Sequence, residues 1–541
     1  KFEFQDLQKS PTLSIKTDFK GDLKKINSHT IKDVSEVLGL ESNLTMIIEQ
    51  YAKFGVISGA VEAKMLGIDL KRLTKTSLTA NIKLTDCLVD LTTNSKPLRL
   101  NLISLVSSEQ ETTLVVSGKF NQKPILGTLT KVNIKDISST LQVLWEPNLN
   151  DLEPYFSEVL RYSGSGEVIV QTDITFPPNR AAIYRFKFDI TDVQLSIPSI
   201  GFEKKRKEPG NIELGWTESN GTSFAFLSKG YDLSGVAFFD LKQRIQKVDF
   251  NRVKLSDYFL GDAKYSTGKI ENSLLINGQK YDYEKAPKSQ FFSSQKNVKV
   301  ILDIASIKVR EDLALEPFKG SFNYKEAFKG TGVGLLNGGP EVKIKIDLAS
   351  DRKIFKVFTK NAGDVLLRSK VYSNGYGGEM HFELRQQLGK EYEGDLHIKS
   401  LTVIGAPFLA KLISLSSIEG ILDLLGTNGM VFDNIKADYA LDEDFLYIKS
   451  GFATSPSFGI TLSGKRETRK KTINYSGVLS PVYSLNGMVK KLPLVGGLIG
   501  GNEGEGFFGI NYFATGELQD PLLTINPLSI ITPGKFRELL N

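Results

Sequence analysis

Strict two-residue alternation is the feature that most constrains this chain. Val342, Ile344, Ile346 and Leu348 alternate with Glu341, Lys343, Lys345 and Asp347, so an extended strand here has one apolar and one charged face. Tyr184, Phe186, Phe188 and Ile190 alternate with Arg185, Lys187 and Asp189 in the same manner. Val298, Val300, Leu302 and Ile304, and Val168, Val170, Ile174 and Phe176, repeat the pattern. Strands of this kind belong to a sheet that is wet on one side. Asn337-Gly338-Gly339-Pro340, Asn374-Gly375 and Gly377-Gly378 punctuate the runs as turn signals, which predicts antiparallel meanders.

At 541 residues the chain is several domains long or one extended repetitive body, and its repeating strand pattern favours the second. Hydrophobic residues at 40% exclude a disordered chain. About 25 strands at ~4.8 Å each would extend a sheet on the order of 120 Å. Sheets of more than about ten strands curl. The expected fold is therefore mostly β: a long, twisted, antiparallel sheet curled into an elongated hydrophobic groove, with a few short amphipathic helices. Tyr184, Phe186, Phe188, Ile190, Val298, Val300, Leu302, Ile304, Val342, Ile344, Ile346 and Leu348 are predicted to line one shared concavity.

Helical patterns are few. Two short ones surround Gly39 between Ile31 and Phe54, and another covers Asp151 to Tyr162. Between Pro407 and Leu425, residues Phe408, Leu412, Leu415, Ile418, Leu422 and Leu425 recur at helical spacing, with a break near Ser416-Ser417 or Gly420. A terminal helix opens at Thr532, an N-cap followed by Pro533. Lys535 and Arg537 sit near its start against the helix dipole, a charge that a partner or a membrane phosphate would compensate.

The remaining chemistry is sparse. Basic residues number 68 against 62 acidic, and the only basic blocks are Lys204-Lys205-Arg206-Lys207 and Arg466 to Lys471, so nucleic-acid binding is not indicated. One cysteine, Cys87, excludes an internal disulfide framework. No run approaches the ~18 apolar residues of a spanning helix. The chain begins Lys1-Phe2-Glu3, which is expected of a fragment or processed product. No Ser or Thr follows any Gly-Lys pair, and no nucleophile elbow or paired-histidine zinc motif occurs. If Gln387 to Lys390 forms a hairpin turn, His381 and His397 face each other near Glu379, Glu383 and Asp395; the plain reading is two surface histidines. No catalytic residue, metal or cofactor is assigned. The glycine-dense segment from Leu492 to Gly506 lacks the spacing and βαβ context of a dinucleotide loop and reads as a hairpin with an apolar tip. Its Leu494, Val495, Leu498 and Ile499 are candidates for membrane or partner contact, together with Phe408, Leu412, Leu415, Phe536 and Leu539. Core packing is the competing reading for the amphipathic segment.

Residues 405–541 carry the most specific pattern: Gly405-Ala406-Pro407-Phe408-Leu409-Ala410-Lys411-Leu412, Asn428-Gly429-Met430-Val431-Phe432, Leu485-Asn486-Gly487-Met488-Val489, Leu492-Pro493-Leu494-Val495-Gly496-Gly497, Gly504-Glu505-Gly506-Phe507-Phe508, Asn526-Pro527-Leu528-Ser529 and Thr532-Pro533-Gly534-Lys535-Phe536-Arg537. In that order they resemble the C-terminal region of the AsmA-like envelope proteins of Gram-negative bacteria, the YhdP/TamB group. Upstream, Asn361-Ala362-Gly363-Asp364 before Gly377-Gly378 is similar to the family's Asp-Ala-Gly segment, with Asn361 where Asp is commoner. The resemblance implies a groove-forming segment over 1–290 and an AsmA-like C-terminal region over 291–541. It further implies a periplasmic bridge, anchored in the inner membrane by a helix upstream of Lys1, carrying phospholipid toward the outer membrane without catalysis. Rival expectations are an envelope scaffold with a closed β core and an outer-membrane β-barrel. The interspersed helices and the helical end count against the barrel.

Overall fold

The computed structural model describes residues 2–5, 12–22, 52–66, 68–69, 72–73, 76–89, 98–107, 111–120, 123–132, 138–156, 162–177, 180–217, 221–240, 244–287, 296–415, 429–481, 509–518 and 520–526. Outside them lie most of the Gly39 region, the segment 416–425, the glycine-dense 492–506, and the Thr532 helix with Leu494, Val495, Leu498, Ile499, Phe536 and Leu539. Ala52 to Phe54, at the end of the second of the two helical patterns around Gly39, begin the strand Ala52–Leu66 instead.

The protein is mostly β, and the chain divides into two compact units: 1–267 with 287–290, and 268–286 with 291–541. In the first, an antiparallel meander runs from Phe2–Gln5 to Phe259–Ser266. Two connections at one end of these strands are long. That from Trp145 to Ile169 contains the helix Leu149–Phe156 and the strand Ser163–Gly166, and that from Asp189 to Gly210 contains Val193–Ile197 and Phe202–Lys204. The three short strands form their own antiparallel sheet. Leu149, Leu152, Val193, Leu195, Ile197 and Phe202 from these connections share one core with Val168, Val170, Phe188, Ile190 and Tyr231 of the main sheet and its margins. The insertion thus covers one end of the apolar face.

The second unit departs once from the antiparallel expectation. Glu271–Asp282 runs parallel to Asn297–Ile304 and to Ile307–Arg310. Alternation fixes which side chains share a face but says nothing about strand direction, so this step was invisible in sequence. From Leu313–Tyr324 onward every consecutive pair is antiparallel through Leu522–Asn526. Asn337 and Gly338, with φ of 48° and 66°, make the predicted turn into Glu341–Leu348. Gly377 and Gly378, read as a turn, instead lie inside the strand Gly375–Gln387, both with positive φ.

A helix that the sequence reading did not include, Ala362–Arg368, joins Arg352–Thr359 to Gly375–Gln387. The Asn361 side chain accepts a hydrogen bond from Asp364 N, and Arg368 pairs with Asp364 at 3.0 Å. Gly363 is required there, since a Cβ would collide with the backbone of Gly375 and Tyr376. The predicted Pro407 helix spans Pro407–Leu415 and leaves the sheet after Tyr392–Val403.

All the described strands of this unit belong to one sheet, yet its core joins Val300 near one edge to Leu523 at the other. A single sheet buries its own face only by curving around it. The Pro407 helix seals one end of the curve. Leu412 and Ile413 are fully buried, Phe408 meets Tyr512 edge-on at 6.1 Å, and Lys411 pairs with Asp520 at 3.6 Å, all against strands distant from the helix in the sheet.

Candidate functional site

The inner apolar face is the candidate site. In the second unit its walls follow from register. Phe328 is opposite Leu348, Gly330 opposite Ile346, Gly332 opposite Ile344, and Ile344 opposite Val357. Val300 and Val342 are buried in this core, with Val298, Leu302, Ile344 and Ile346 packed half-buried against it. Ile304 is 4% exposed, and Leu348 is half-buried at the far end of its strand.

Sequence reasoning missed the aromatic lining. Phe318 and Phe322 lie 6.5 Å apart, Phe322 stacks on Phe328 at 4.7 Å, and Phe382 stacks on Tyr439 at 5.8 Å. The Phe318-Lys319-Gly320-Ser321-Phe322 alternation carried the signal. Gly332 lies across the sheet from these rings, and a Cβ on it would run into Phe318.

Burial is most complete at the helix-covered end, where Phe318, Leu336, Val342, Met380, Leu401, Phe432, Phe458 and Leu479 are buried. Toward the opposite end it is uneven: Ile344, Ile346, Leu348, Phe382 and Leu384 are half-buried, whereas Phe322 and Tyr439, in the transverse row of Ile346, and Ile473 beyond them stay buried. The face is therefore closed at one end and partly accessible toward the other.

The outer face is charged and self-paired. Lys319–Asp303 (2.8 Å), Lys356–Glu383 (2.7 Å) and Arg385–Asp395 (3.1 Å) bridge neighbouring strands, and Lys449–Glu393 (2.7 Å) reaches across the strand between theirs. Such pairs contribute little individually, about 0–1 kcal/mol, and serve to keep that face wet. His381 and His397 do lie opposite each other, beyond a turn closed by Lys390 N donating to Gln387 O. His381 is 3.4 Å from Glu379 and His397 is 3.3 Å from Asn434 Oδ1. Among the described residues no three His, Cys, Asp or Glu side chains converge as a metal site.

The first unit holds the other predicted lining residues. Phe188 and Ile190 are buried in its core, Phe186 packs against it, and Tyr184 meets Trp216 at 4.9 Å. Exposure rises along the strand from Phe188 to Tyr184, away from the small sheet, and Trp216 is 41% exposed. The twelve predicted residues thus divide between the two units: Phe186, Phe188 and Ile190 belong to one core, and Val298, Val300, Leu302, Val342, Ile344 and Ile346 to another. Residues expected to line one shared concavity are thus found in two core clusters. The cause is local: insertions close the face around Phe188 and Ile190.

The small sheet supplies an unexpected polar group. Lys204, read as part of a basic block, is 2% exposed, and its Nζ donates to the carbonyls of Val193 (2.9 Å), Thr191 (3.1 Å) and Lys205 (3.2 Å). Burial lowers its pKa from the ordinary lysine value, with Glu208, Asp189 and Asp192 opposing. Tyr231 and Tyr258 donate to the carbonyls of Gly201 (2.7 Å) and Ile200 (2.8 Å). Phe202 meets Tyr231 edge-on at 4.9 Å.

Of the candidate contact residues, Leu412 is corrected: with no exposed surface it is a core side chain, because the helix turns that face toward Tyr512 and the sheet interior. Phe408 is half-buried, and Leu415 remains 43% exposed. The connection 482–509 and the segment after Asn526 leave from the same strand ends as the Pro407 helix. Val403 pairs with Met430, Phe458 with Pro481, Leu479 with Ile510 and Asn511 with Asn526, all at that one end.

Fold and site define a mostly β protein whose units are each built on a large sheet with a charged outer face and an apolar inner face closed at one end. No family model, curated protein or solved structure matches the chain. Among the described residues no helix is long and apolar enough to cross a membrane.

Proposed function

We propose that this chain is a bridge-like lipid-transfer segment of the AsmA-like kind, carrying phospholipid between inner and outer membrane along its apolar inner face. The location that goes with this reading is the periplasm, with an inner-membrane anchor upstream. The observation that carries it is the half-buried strip through Ile344, Ile346 and Leu348, backed by the exposed Lys343 and Lys345. Moving a two-chain lipid through water exposes about 30 methylenes at ~0.8 kcal/mol each, a barrier on the order of 20 kcal/mol. An apolar strip that water reaches only from one side removes most of that barrier while leaving the headgroup solvated. The role is binding and guidance rather than catalysis.

A photo-crosslinking residue at position 344 should label co-purifying phospholipid, and the same residue at 343 should not, since neighbours on a strand face opposite ways. Ile344→Asp should abolish loading, whereas Lys343→Asp should leave it unchanged. Equal labelling at both positions, or none, refutes the conduit. The second reading, an envelope scaffold with a closed core, draws on the complete burial of Ile413, Phe458, Leu479 and Tyr512. It predicts no lipid at either position.

A further inference from the structure

The lip of the second unit's inner face, at the end opposite the Pro407 helix, carries an unusual side chain. Counting by twos along Phe458–Glu467 from the buried Phe458 passes Ile460 and Leu462, both packed on the core, and Gly464, and arrives at Arg466. Register agrees. Arg466 lies between Leu446 and Ile473, and that transverse row continues through Leu441 and Tyr392 on one side and Gly516 on the other. These six positions include no carboxylate.

Arg466 is half-buried, and its Nε is buried without a hydrogen-bond partner. Among the described residues no ion pair or hydrogen bond engages its side chain. Its neighbours on the outer face behave differently. Glu467 pairs with Lys470 at 2.8 Å, Arg469 with Asp444 at 3.1 Å, and Lys465 lies 5.1 Å over the Phe445 ring. Ion pairing is thus readily available to this loop, and Arg466 is turned away from it. Beside it, opposite Gly464, stands Tyr475, whose hydroxyl likewise makes no hydrogen bond among the described residues. Burial raises that phenol's pKa, and the Arg466 charge opposes the rise. Two donors therefore sit together on an apolar wall. A Cβ on the nearby Gly516 would meet nothing within 4 Å, so space adjoins the row.

An unpaired guanidinium in apolar surroundings is costly unless an anion meets it, and its planar fork suits phosphate or carboxylate oxygens. Resting on the lipid-transfer reading, we propose that Arg466, assisted by Tyr475, is the headgroup anchor of the lip: it holds the phosphate of an anionic lipid whose acyl chains lie along Leu462, Ile460 and the strip beneath. The arrangement selects an anion-headed amphiphile over a neutral one with the same chains.

The test uses the full chain, with fluorescent phosphatidic acid and fluorescent diacylglycerol of identical acyl chains delivered from cyclodextrin, bound lipid being measured after gel filtration. Wild type should retain phosphatidic acid about tenfold more strongly, the scale of one charge-assisted contact. Arg466→Gln should bring the ratio close to one with diacylglycerol retention unchanged, and Arg466→Lys should restore part of it. Lys465→Gln, next door on the outer face, should keep the wild-type ratio. Millimolar inorganic phosphate should not displace bound phosphatidic acid; if it does, the site is one for free phosphate and the lipid anchor is overturned. Equal retention of both lipids by wild type, or an undiminished ratio in a folded Arg466→Gln protein, also overturns it while leaving the groove standing. Retention of neither lipid removes the underlying groove reading instead.

Discussion

The two units meet the same difficulty with opposite chemistry. Each has an apolar sheet face that must be closed where its strands end, and in each the closing piece is inserted in connections at that end. In the first unit the piece is a small sheet whose placement is fixed by polar groups: Lys204 on three carbonyls, and Tyr231 and Tyr258 on two more. In the second it is a helix whose Leu412 and Ile413 enter the interior with no polar atoms. Directional hydrogen bonds fix orientation and penalise any partial opening, whereas apolar contact is non-directional and scales with area. The first closure should therefore fail at a titration, the second at a cavity.

Both tryptophans, Trp145 and Trp216, lie in the first unit, so their fluorescence follows that unit alone while circular dichroism follows the whole chain. The largest expected effect is Leu412→Ala, a loss of about 3 kcal/mol from transfer and cavity costs. It should lower the melting transition seen by circular dichroism and leave the tryptophan transition in place. A shift of both equally would break the distinction between the closures. Next, Lys204→Met should destabilise the tryptophan-reported transition by about 2 kcal/mol, through three carbonyls losing their donor.

That variant also has a pH signature. A lysine whose folded pKa lies below 10.5 is protonated more in the unfolded chain between the two values, so stability rises with pH across that window. Lys204→Met should remove this rise. The smallest effect belongs to Tyr512→Phe, about 1 kcal/mol for the hydrogen bond from its hydroxyl to Thr461 O at 2.6 Å. Burial raises the Tyr512 pKa well above 10.0, so its contribution is complete below pH 10 and is lost as pH climbs toward the folded value. Alkaline melts above pH 10 should thus be flatter for Tyr512→Phe than for wild type. Identical slopes would remove the tyrosine from the account.

Sheet faces were legible because alternation is a local property. Every residue from Val342 to Leu348 could be assigned to a side from its neighbours, and the structure places Val342 inside and Lys343 outside. What stayed hidden depends on distant contacts. Leu412 could not be distinguished from a surface leucine without knowing that Tyr512, a hundred residues on, would meet its helix. The burial of Lys204 depends on carbonyls presented by a neighbouring strand. The helix Ala362–Arg368 left a readable trace in its Asn361 cap and its Asp364–Arg368 pair, but at seven residues it was short enough to pass as a turn. Arg466 was taken for one charge in a basic run, although its even spacing from Phe458 already set it on the apolar side.

The parallel pairing of Glu271–Asp282 with Asn297–Ile304 has a consequence for how such a chain can change length. In a meander the hairpins alternate between two ends, so the direction of one strand sets the phase of every connection after it. Because these two strands run the same way, the connections at 360–374, 404–429 and 482–509, and the departure after Asn526, all fall at one end. Gain or loss of a single strand between Leu313 and Thr359 would send each of them to the opposite end. Gain or loss of two would leave them where they are. Viable insertions and deletions in that stretch should accordingly come as whole hairpins, and parity rather than residue count becomes the quantity that selection preserves.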